Sequence, residues 1–302
     1  MKYTSLNEHY RQRFGRKIYT LSLSGGMTCP NRDGTLDTRG CIFCSVSGSG
    51  DFCEDFDPDI FRQIEKAKLR VKSKAGDNAG FIAYFQNFTN TYAHISHLSD
   101  IFGQAIAHPD IVGLSIATRP DCLGKEVLDL LSDLVKIKPV WVELGLQTIH
   151  KNSVDYIRRG YDNSVYEKAV KDLHEIGVEV VTHVILGLPY EDKSMMLETV
   201  KYVAENKSDG IKLQLLHVLE NTDLAKDYRE CKFETLSLEV YCDILAECIR
   251  VLPENTVIHR LTGDGAKRDL IAPLWSGDKK RVLSTINKYF EQNCVKQGEH
   301  CR

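Results

Sequence analysis

Long hydrophobic runs are missing from this sequence of 302 residues. No segment approaches the roughly 18 consecutive apolar residues of a transmembrane helix, and the polar, basic residues 1–17 lack the apolar core of a secretory signal. Internal repeats, low-complexity linkers and breaks in composition are missing as well. We therefore expect a cytoplasmic protein without membrane association, built as one domain with a C-terminal extension.

A large net charge is also missing, because 39 Lys and Arg residues stand against 42 Asp and Glu residues. With 42% hydrophobic and 27% charged residues, the composition excludes collagen-like and wholly disordered chains. The charge is uneven: residues 1–19 carry five basic and one acidic residue, and residues 267–302 carry eight basic and four acidic residues. Two interpretations stay open. Either a polyanion binds where the two ends meet, or the basic residues lie on solvated helix faces.

Short apolar segments rich in β-branched and aromatic residues alternate with segments of helical periodicity. Nearly continuous apolar strands separated by helices are typical of a parallel sheet buried on both faces, so the predicted fold class is α/β, as an open sheet or a barrel. The predicted strands are residues 18–24, 80–86, 112–118, 140–145, 179–186 and 211–216. The predicted helices are residues 56–74, 96–107, 125–136, 164–176 and 192–206, followed by a helix at 236–252, a strand at 257–261 and a basic helix at 279–291.

Ten cysteines are many for a chain expected in a reducing compartment, where disulfides rarely persist. Cys29, Cys41 and Cys44 follow the first predicted strand in a loop rich in Gly, Asp and Asn, with gaps of 11 and two residues. Thiolates bind iron–sulfur clusters or zinc. The spacing leaves three possibilities open: a cluster with one open iron, a zinc site completed by Cys53 or a histidine, and coincidence. The other cysteines show no paired spacing, so we expect no second cluster.

The cysteine loop resembles the cluster motif of radical S-adenosylmethionine (SAM) enzymes. Its long first gap is similar to that of the subgroup that includes the elongator-complex catalytic subunit. Further blocks extend the resemblance over nearly the whole chain to the YtqA/YhcC-like radical SAM proteins. These blocks, at the ends of predicted strands or just beyond them, are YFQNFTNTY at 84–92, ATRPDC at 117–122, WVELGLQ at 141–147, RRG at 158–160 and ILGLP at 185–189.

This resemblance implies a partial (β/α)6-type TIM barrel over residues 18–220. A basic N-terminal segment (residues 1–17) precedes it, and a C-terminal α/β extension (residues 221–302) packs on it. The resemblance also implies that Cys29, Cys41 and Cys44 hold a [4Fe–4S] cluster whose open iron chelates SAM. An electron from a flavodoxin- or ferredoxin-like donor then cleaves SAM to methionine and a 5′-deoxyadenosyl radical, which abstracts hydrogen from the substrate.

Further SAM contacts are implied by the same resemblance. Most family members carry Gly-Gly-Glu after the second strand, but this chain has Phe85-Gln86-Asn87 there, so an amide oxygen would replace the carboxylate. Glu143 suits a ribose hydroxyl pair, and Arg159 suits the methionine carboxylate unless it is an ordinary surface arginine. The expected SAM contacts are Phe43, Gln86, Asn87, Thr118, Glu143, Gln147, Arg159, Ile185 and Gly187.

The elongator catalytic subunit modifies wobble uridine in tRNA, and we expect this protein to lack a counterpart of its acetyltransferase domain. The resemblance therefore implies radical remodelling of the C5 substituent of that uridine, for example carboxymethylaminomethyl toward aminomethyl. Alternatives are a radical SAM enzyme acting on a small metabolite and a non-catalytic iron–sulfur or zinc protein. Expected substrate contacts are Arg119, Asp121, Lys212, His217, Arg260 and Asp264, whereas His183 is interpreted as a hydrogen-bonded core histidine. Expected tRNA phosphate contacts are Arg11, Arg13, Arg16, Lys17, Lys279, Lys280 and Arg281.

Overall fold

The computed structural model describes residues 2–46, 48, 53–76, 78–263, 265 and 267–301. Its strands are β1 (Ile18–Leu23), β2 (Gly80–Phe85), β3 (Ile111–Thr118), β4 (Val140–Gln147), β5 (Glu179–Leu186), β6 (Gly210–Leu215), β7 (Val218–Leu219), β8 (Val257–Arg260) and β9 (Leu270–Ala272). Its helices are α1 (Leu6–Phe14), α2 (Ile60–Ala75), α3 (Ile95–Ala107), α4 (Lys125–Val135), α5 (Lys151–Tyr156), α6 (Asn163–Glu175), α7 (Lys193–Glu205), α8 (Asp223–Arg229), α9 (Leu238–Val251) and α10 (Lys279–Gln292).

Seven strands form one parallel sheet in the order β1-β2-β3-β4-β5-β6-β8, curled into a partial TIM barrel. From β1 to β6, each strand joins the sheet beside its predecessor, because the helices between them carry the chain back for a parallel pairing. The α/β partial barrel predicted from the sequence is confirmed. The barrel differs in one respect: β8, from the C-terminal extension, pairs with β6 and adds a seventh strand.

The main core lies between the sheet and the surrounding helices. Phe85 of β2 packs edge to face on Phe102 of α3, with ring centroids 5.1 Å apart, and both side chains are fully buried. Local signals place the helix ends. Asp192 caps α7 by accepting from the amide of Met195, and Gly177 follows α6 with a φ of 79°. Among the described helices, none combines the length and the hydropathy that a membrane span requires.

Helix α1 covers the amino end of the barrel. Tyr10 is buried against Trp141 at the start of β4, with ring centroids 5.6 Å apart. Arg13 stacks on the same indole ring and pairs with Glu179, the first residue of β5. Arg16 lies beside Gly80, the first residue of β2. The basic N-terminal residues therefore lie at the end of the barrel opposite the cysteine loop, which follows the carboxyl end of β1.

The C-terminal extension reaches both ends of the barrel. Near the carboxyl end, the short antiparallel pair β7–β9 and helix α8 pack beside the cysteine loop, where the Leu224 amide donates to the Ile42 carbonyl at 3.0 Å. Trp275, just before α10, donates to the carbonyl of Leu236, which packs on Gly187 after β5. The first turn of α10 therefore lies on the carboxyl side of the sheet.

The two chain ends meet, since Lys2 pairs with Glu291 of α10 and the Tyr3 ring lies 6.1 Å from that of Phe290. The two groups of residues expected to contact tRNA phosphates nevertheless do not lie together. The two groups lie at opposite ends of the barrel because α1 closes the amino end while α10 starts at the carboxyl side. The amino-side group is Arg11, Arg13, Arg16 and Lys17, and the carboxyl-side group is Lys279, Lys280 and Arg281.

Candidate active site

A cavity opens at the carboxyl end of the parallel strands, beside the loop that follows β1. We call the part lined by Cys29, Cys41 and Cys44 the cysteine chamber. The other part has a mixed lining, and we call it the apolar chamber after its wall of Ile185 and Leu215. Functional groups of parallel barrels collect at this end of the strands. The two chambers are continuous, because they share Phe43, Gln86, Gln147, His183, Gln214 and Arg260.

Most residues predicted for SAM and substrate contact line this cavity. Asn87 directly follows the lining residue Gln86, Asp121 pairs with the lining residue Arg119, and Asp264 lies outside the described residues. The predicted residues in the cysteine chamber are Cys29, Cys41, Phe43, Cys44, Gln86, Thr118, Arg119, Glu143, Gln147, Arg159, Lys212 and Arg260, and the apolar chamber adds Ile185 and His217.

The cysteine loop is held by its own hydrogen bonds. The Cys44 amide donates to the Cys41 carbonyl at 3.0 Å, which closes a turn that brings these two residues together. Asn31 donates through Nδ2 to the Cys41 sulfur at 3.5 Å and to the Arg158 carbonyl at 2.7 Å. Hydrogen bonds to ligand sulfurs tune the potential of iron–sulfur clusters, so Asn31 would tune a cluster held by Cys41. The sequence did not reveal this contact.

The donor set fits a [4Fe–4S] cluster, because three cysteines line one chamber and cysteine thiolates are the ligands of such clusters. Burial, followed by the nearby Cys44, raises the pKa of the Cys41 thiol to about 12. A thiolate at Cys41 therefore requires a cationic centre beside it. A [4Fe–4S] cluster held by these cysteines would supply the electron that cleaves SAM.

Glu143 is the centre of a hydrogen-bond network across the floor of the cysteine chamber. Its carboxylate accepts from Tyr84 at 2.7 Å, from Ser115 at 2.9 Å and from His183 at 2.7 Å, and it forms an ion pair with Lys212. Burial alone would raise the pKa of Glu143, but Lys212 and His183 outweigh burial and hold that pKa well below its ordinary value. The ribose contact proposed for Glu143 would have to compete with these four partners.

Arg159 does not present its guanidinium to the cavity. Its five N–H groups donate to the carbonyls of Leu146, Thr148 and Tyr161 and to the side chain of Asn163, at 2.7–3.0 Å. In the structure, Arg159 therefore links the end of β4 to the segment before α6. This differs from the predicted pairing with the methionine carboxylate, because the loop carbonyls already occupy every donor.

Arg119 is the better-placed cation near the cysteines. It forms a bidentate pair with Asp121, at 2.9 Å from Nε and 2.7 Å from Nη2, and its guanidinium lies 4.9 Å from the centroid of the Tyr161 ring. Asp121 therefore orients Arg119 rather than lining the cavity itself. Arg119 remains available as a partner for an anionic group because its Nη1 side faces away from that pair.

The segment that replaces Gly-Gly-Glu carries one unsatisfied acceptor. Asn87 donates through Nδ2 to Ser24 at 3.0 Å, while its Oδ1 is buried and accepts no hydrogen bond within the described structure. Gln86 accepts from Ser22 at 3.1 Å. A buried carbonyl oxygen without a donor is costly, so this amide fits a bound ammonium group such as that of SAM.

Gly187, an expected SAM contact, directly follows β5 and is not among the described residues that line either chamber. Its φ is 88°, and a Cβ there would lie 2.9 Å from the side chain of Leu236. The glycine is therefore required by a left-handed turn and by the packing of Leu236. His217 lies against Gly263 and Gly265, whose missing side chains leave room for the imidazole ring.

Sequence reasoning missed three polar residues on the cavity floor and assigned a fourth, His183, to the core. The described structure confirms that His183 is hydrogen-bonded, but it lines both chambers instead of lying in the core. The sequence did contain a signal for these residues, because each is a polar residue within a largely apolar strand. A polar side chain inside a parallel barrel indicates a polar partner or ligand there. The other three are Tyr84, Ser115 and Gln214.

Comparison with known proteins agrees with this site. Residues 38–203 match the Radical SAM superfamily, and residues 208–292 match the Radical_SAM C-terminal domain. The chain is 43% identical over 298 residues to the YtqA protein of Bacillus subtilis, covering 99% of this chain and 92% of that protein. It is 28% identical over 190 residues to a tRNA uridine(34) acetyltransferase of Methanocaldococcus jannaschii, covering 61% of this chain and 34% of that protein.

A solved structure shows the same fold. The Elp3 protein of Methanocaldococcus infernus superposes with a TM-score of 0.71 at 15% identity, covering 93% of this chain and 64% of that one. The superfamily uses a [4Fe–4S] cluster and SAM, and the cysteine chamber offers the residues that such a cluster needs. The chain therefore belongs to the radical SAM superfamily.

Proposed function

We propose that this radical SAM enzyme remodels the C5 side chain of wobble uridine in tRNA, for example by converting a carboxymethylaminomethyl group toward aminomethyl. The observation that carries the proposal is the match to a tRNA uridine(34) acetyltransferase over 61% of this chain. The substrate named for that relative is a tRNA uridine.

The cavity supports a substrate that is both polar and partly negative. Among its described lining residues, the basic ones in the cysteine chamber are Arg32, Arg119, Arg159, Lys212 and Arg260, and the acidic one is Glu143. Arg159 donates all of its N–H groups to the protein, so the other four are the cations available to the cavity. Such a lining, in a protein with a formal charge of −3, attracts anionic ligands. The apolar wall of Ile185, Leu215 and Leu216 suits the face of a nucleobase.

The chain's own residues would divide the work. Cys29, Cys41 and Cys44 would hold the cluster, and Asn87 would accept from the SAM ammonium group. The loop after β1 and helix α8 would exclude water from the cavity. Docking of the tRNA would rely on Lys279, Lys280 and Arg281, which lie on the carboxyl side of the sheet, with an electron from a flavodoxin- or ferredoxin-like protein.

The proposal is tested with tRNA that carries carboxymethylaminomethyl uridine at the wobble position. The protein is purified without oxygen, reconstituted with iron and sulfide, reduced, and incubated with SAM and this tRNA. Nucleoside mass spectrometry is expected to show loss of the starting nucleoside and formation of an aminomethyl product, with no conversion by Cys44→Ala. An unchanged tRNA together with SAM cleavage driven by a small-metabolite extract would favour the small-metabolite alternative.

A further inference from the structure

The amide of Gln214 has an orientation that its neighbours determine. Gln214 lies on β6 and lines both chambers of the cavity. Its Nε2 is 3.1 Å from Nδ1 of His183, and Nε2 of the same imidazole is 2.7 Å from Oε2 of Glu143. These contacts form a chain from the barrel floor to the cavity, and the protonation of each member limits that of the next.

Glu143 determines where the protons lie in this series of hydrogen bonds. The Glu143 carboxylate is ionised and only accepts, because Lys212 forms an ion pair with it. His183 must therefore carry its proton on Nε2 and donate to Glu143. Burial, and then the charge of Lys212, lower the pKa of His183, which keeps the ring neutral and leaves Nδ1 as an acceptor.

A neutral imidazole that accepts at Nδ1 requires a donor from Gln214. The amide nitrogen of Gln214 must face the ring, and its Oε1 is therefore directed away from His183. Within the described structure, Oε1 of Gln214 accepts no hydrogen bond. The cavity thus contains a hydrogen-bond acceptor whose direction is set by three residues behind it.

From this geometry we propose that Gln214 is a specificity-determining residue, whose fixed Oε1 accepts a hydrogen bond from the N3–H group of a uracil base in the substrate RNA. This rests on the proposed function. Uracil donates at N3, whereas cytosine has an acceptor at the same position, so a fixed carbonyl oxygen attracts one base and repels the other. Proteins read single-stranded RNA bases along this edge.

The test measures binding of two anticodon stem-loop RNAs that are identical except for uridine or cytidine at the wobble position. The reconstituted protein is saturated with SAM and left unreduced, so that no turnover occurs. The wild type is expected to bind the uridine RNA about tenfold or more tightly, in the range of a wrong hydrogen-bond contact to a base edge. Gln12→Leu, an exposed change on α1, serves as the matched control and should keep this ratio.

Three variants separate the proposed role from a merely structural one. Gln214→Leu removes the acceptor and should bring the two affinities within about threefold of each other. Gln214→Glu retains an acceptor and should keep the preference for uridine. His183→Leu releases the amide, which can then turn its nitrogen toward N3 of cytosine, so this variant should gain affinity for the cytidine RNA.

Three results would overturn the inference. If the wild type binds both RNAs equally but still modifies wobble uridine, Gln214 does not read the base and the proposed function stands. If Gln214→Leu weakens SAM binding and keeps the uridine preference, the acceptor serves the adenine amino group of SAM instead. If the wild type binds neither RNA and leaves tRNA unmodified, the proposed function and the inference fail together.

Discussion

Four side chains from four different strands donate to one carboxylate, that of Glu143, beneath the cavity. A buried carboxylate is tolerated only when it is paired and hydrogen-bonded, and here both conditions are met. Burial raises the pKa of Tyr84, and the charge of Glu143 raises it further, so Tyr84 remains a donor. At the scale of single residues, the network fixes the polar floor on which any ligand rests.

Replacing Glu143 with Gln is expected to destabilise the protein by about 3–5 kcal/mol at neutral pH, because it leaves Lys212 buried without its counter-charge. The folded-state pKa of Glu143 lies well below the ordinary value of 4.5. Its contribution is therefore fully present above that value and is lost as the pH falls toward the folded-state pKa. Urea unfolding of wild type and variant should converge at acid pH.

Asp133→Asn is the control, since its pair with Lys136 is solvent-exposed and surface pairs contribute little. A difference between Glu143→Gln and wild type that is small at neutral pH, or that grows on acidification, would contradict the account of the network.

The unsatisfied oxygen of Asn87 makes a second prediction at this scale. Asn87→Leu should weaken SAM binding about two- to tenfold, the usual effect of losing one hydrogen bond. Asn87→Asp should tighten SAM binding, because a charged acceptor binds ammonium more strongly than an amide does. Equilibrium dialysis with labelled SAM measures both changes. Equal affinities for all three proteins would mean that Asn87 does not contact the cofactor.

At the scale of elements, the sequence predicted the long strands and helices well, because apolar periodicity controls them. The helix predicted at 279–291, for example, is observed as Lys279–Gln292. The short α5, α8, β7 and β9 were not predicted, since only tertiary packing stabilises such elements. The position of α1 could not be predicted from the sequence either, because Tyr10 contacts Trp141 only after the barrel has formed.

The opposite positions of the two basic groups give a prediction at the scale of elements. Reversing Lys279, Lys280 and Arg281 to Glu should weaken tRNA binding and flatten its dependence on salt, because fewer phosphate contacts remain. Helix α10 should still form, since acidic residues suit the first turn. Binding is measured by filter retention across a salt series.

The matched variant reverses Arg11, Arg16 and Lys17 to Glu at the amino end of the barrel and should leave tRNA affinity nearly unchanged. If this variant loses binding and the α10 variant retains it, the tRNA approaches from the other end and the proposed docking is wrong.

At the scale of the whole molecule, the barrel brings to one end functional groups that lie far apart in the sequence, between residues 29 and 260. The shared pocket was predictable from the sequence, because the blocks follow strand ends and parallel strands end at one edge. The orientation of the side chains within it was not, as Arg159 shows by donating all its N–H groups to the protein. Sequence blocks place residues near a site, and only packing decides which atoms face the ligand.

The cysteine arrangement also predicts the metal content. One cluster held by Cys29, Cys41 and Cys44 would give about four iron atoms per chain after reconstitution, because the other cysteines show no paired ligand spacing in the sequence. Iron and sulfide assays on the desalted protein measure this value. A content of about eight iron atoms per chain would require a second cluster and would contradict the assignment.

The most direct test of the central claim is the formation of 5′-deoxyadenosine from SAM by the reconstituted, reduced protein in the presence of bulk tRNA. The account predicts 5′-deoxyadenosine from the wild type and none from Cys44→Ala, because an open cluster at the cysteine chamber is needed to cleave SAM. A wild-type protein that binds its cluster but forms no 5′-deoxyadenosine would contradict the account and indicate a binding or electron-transfer role.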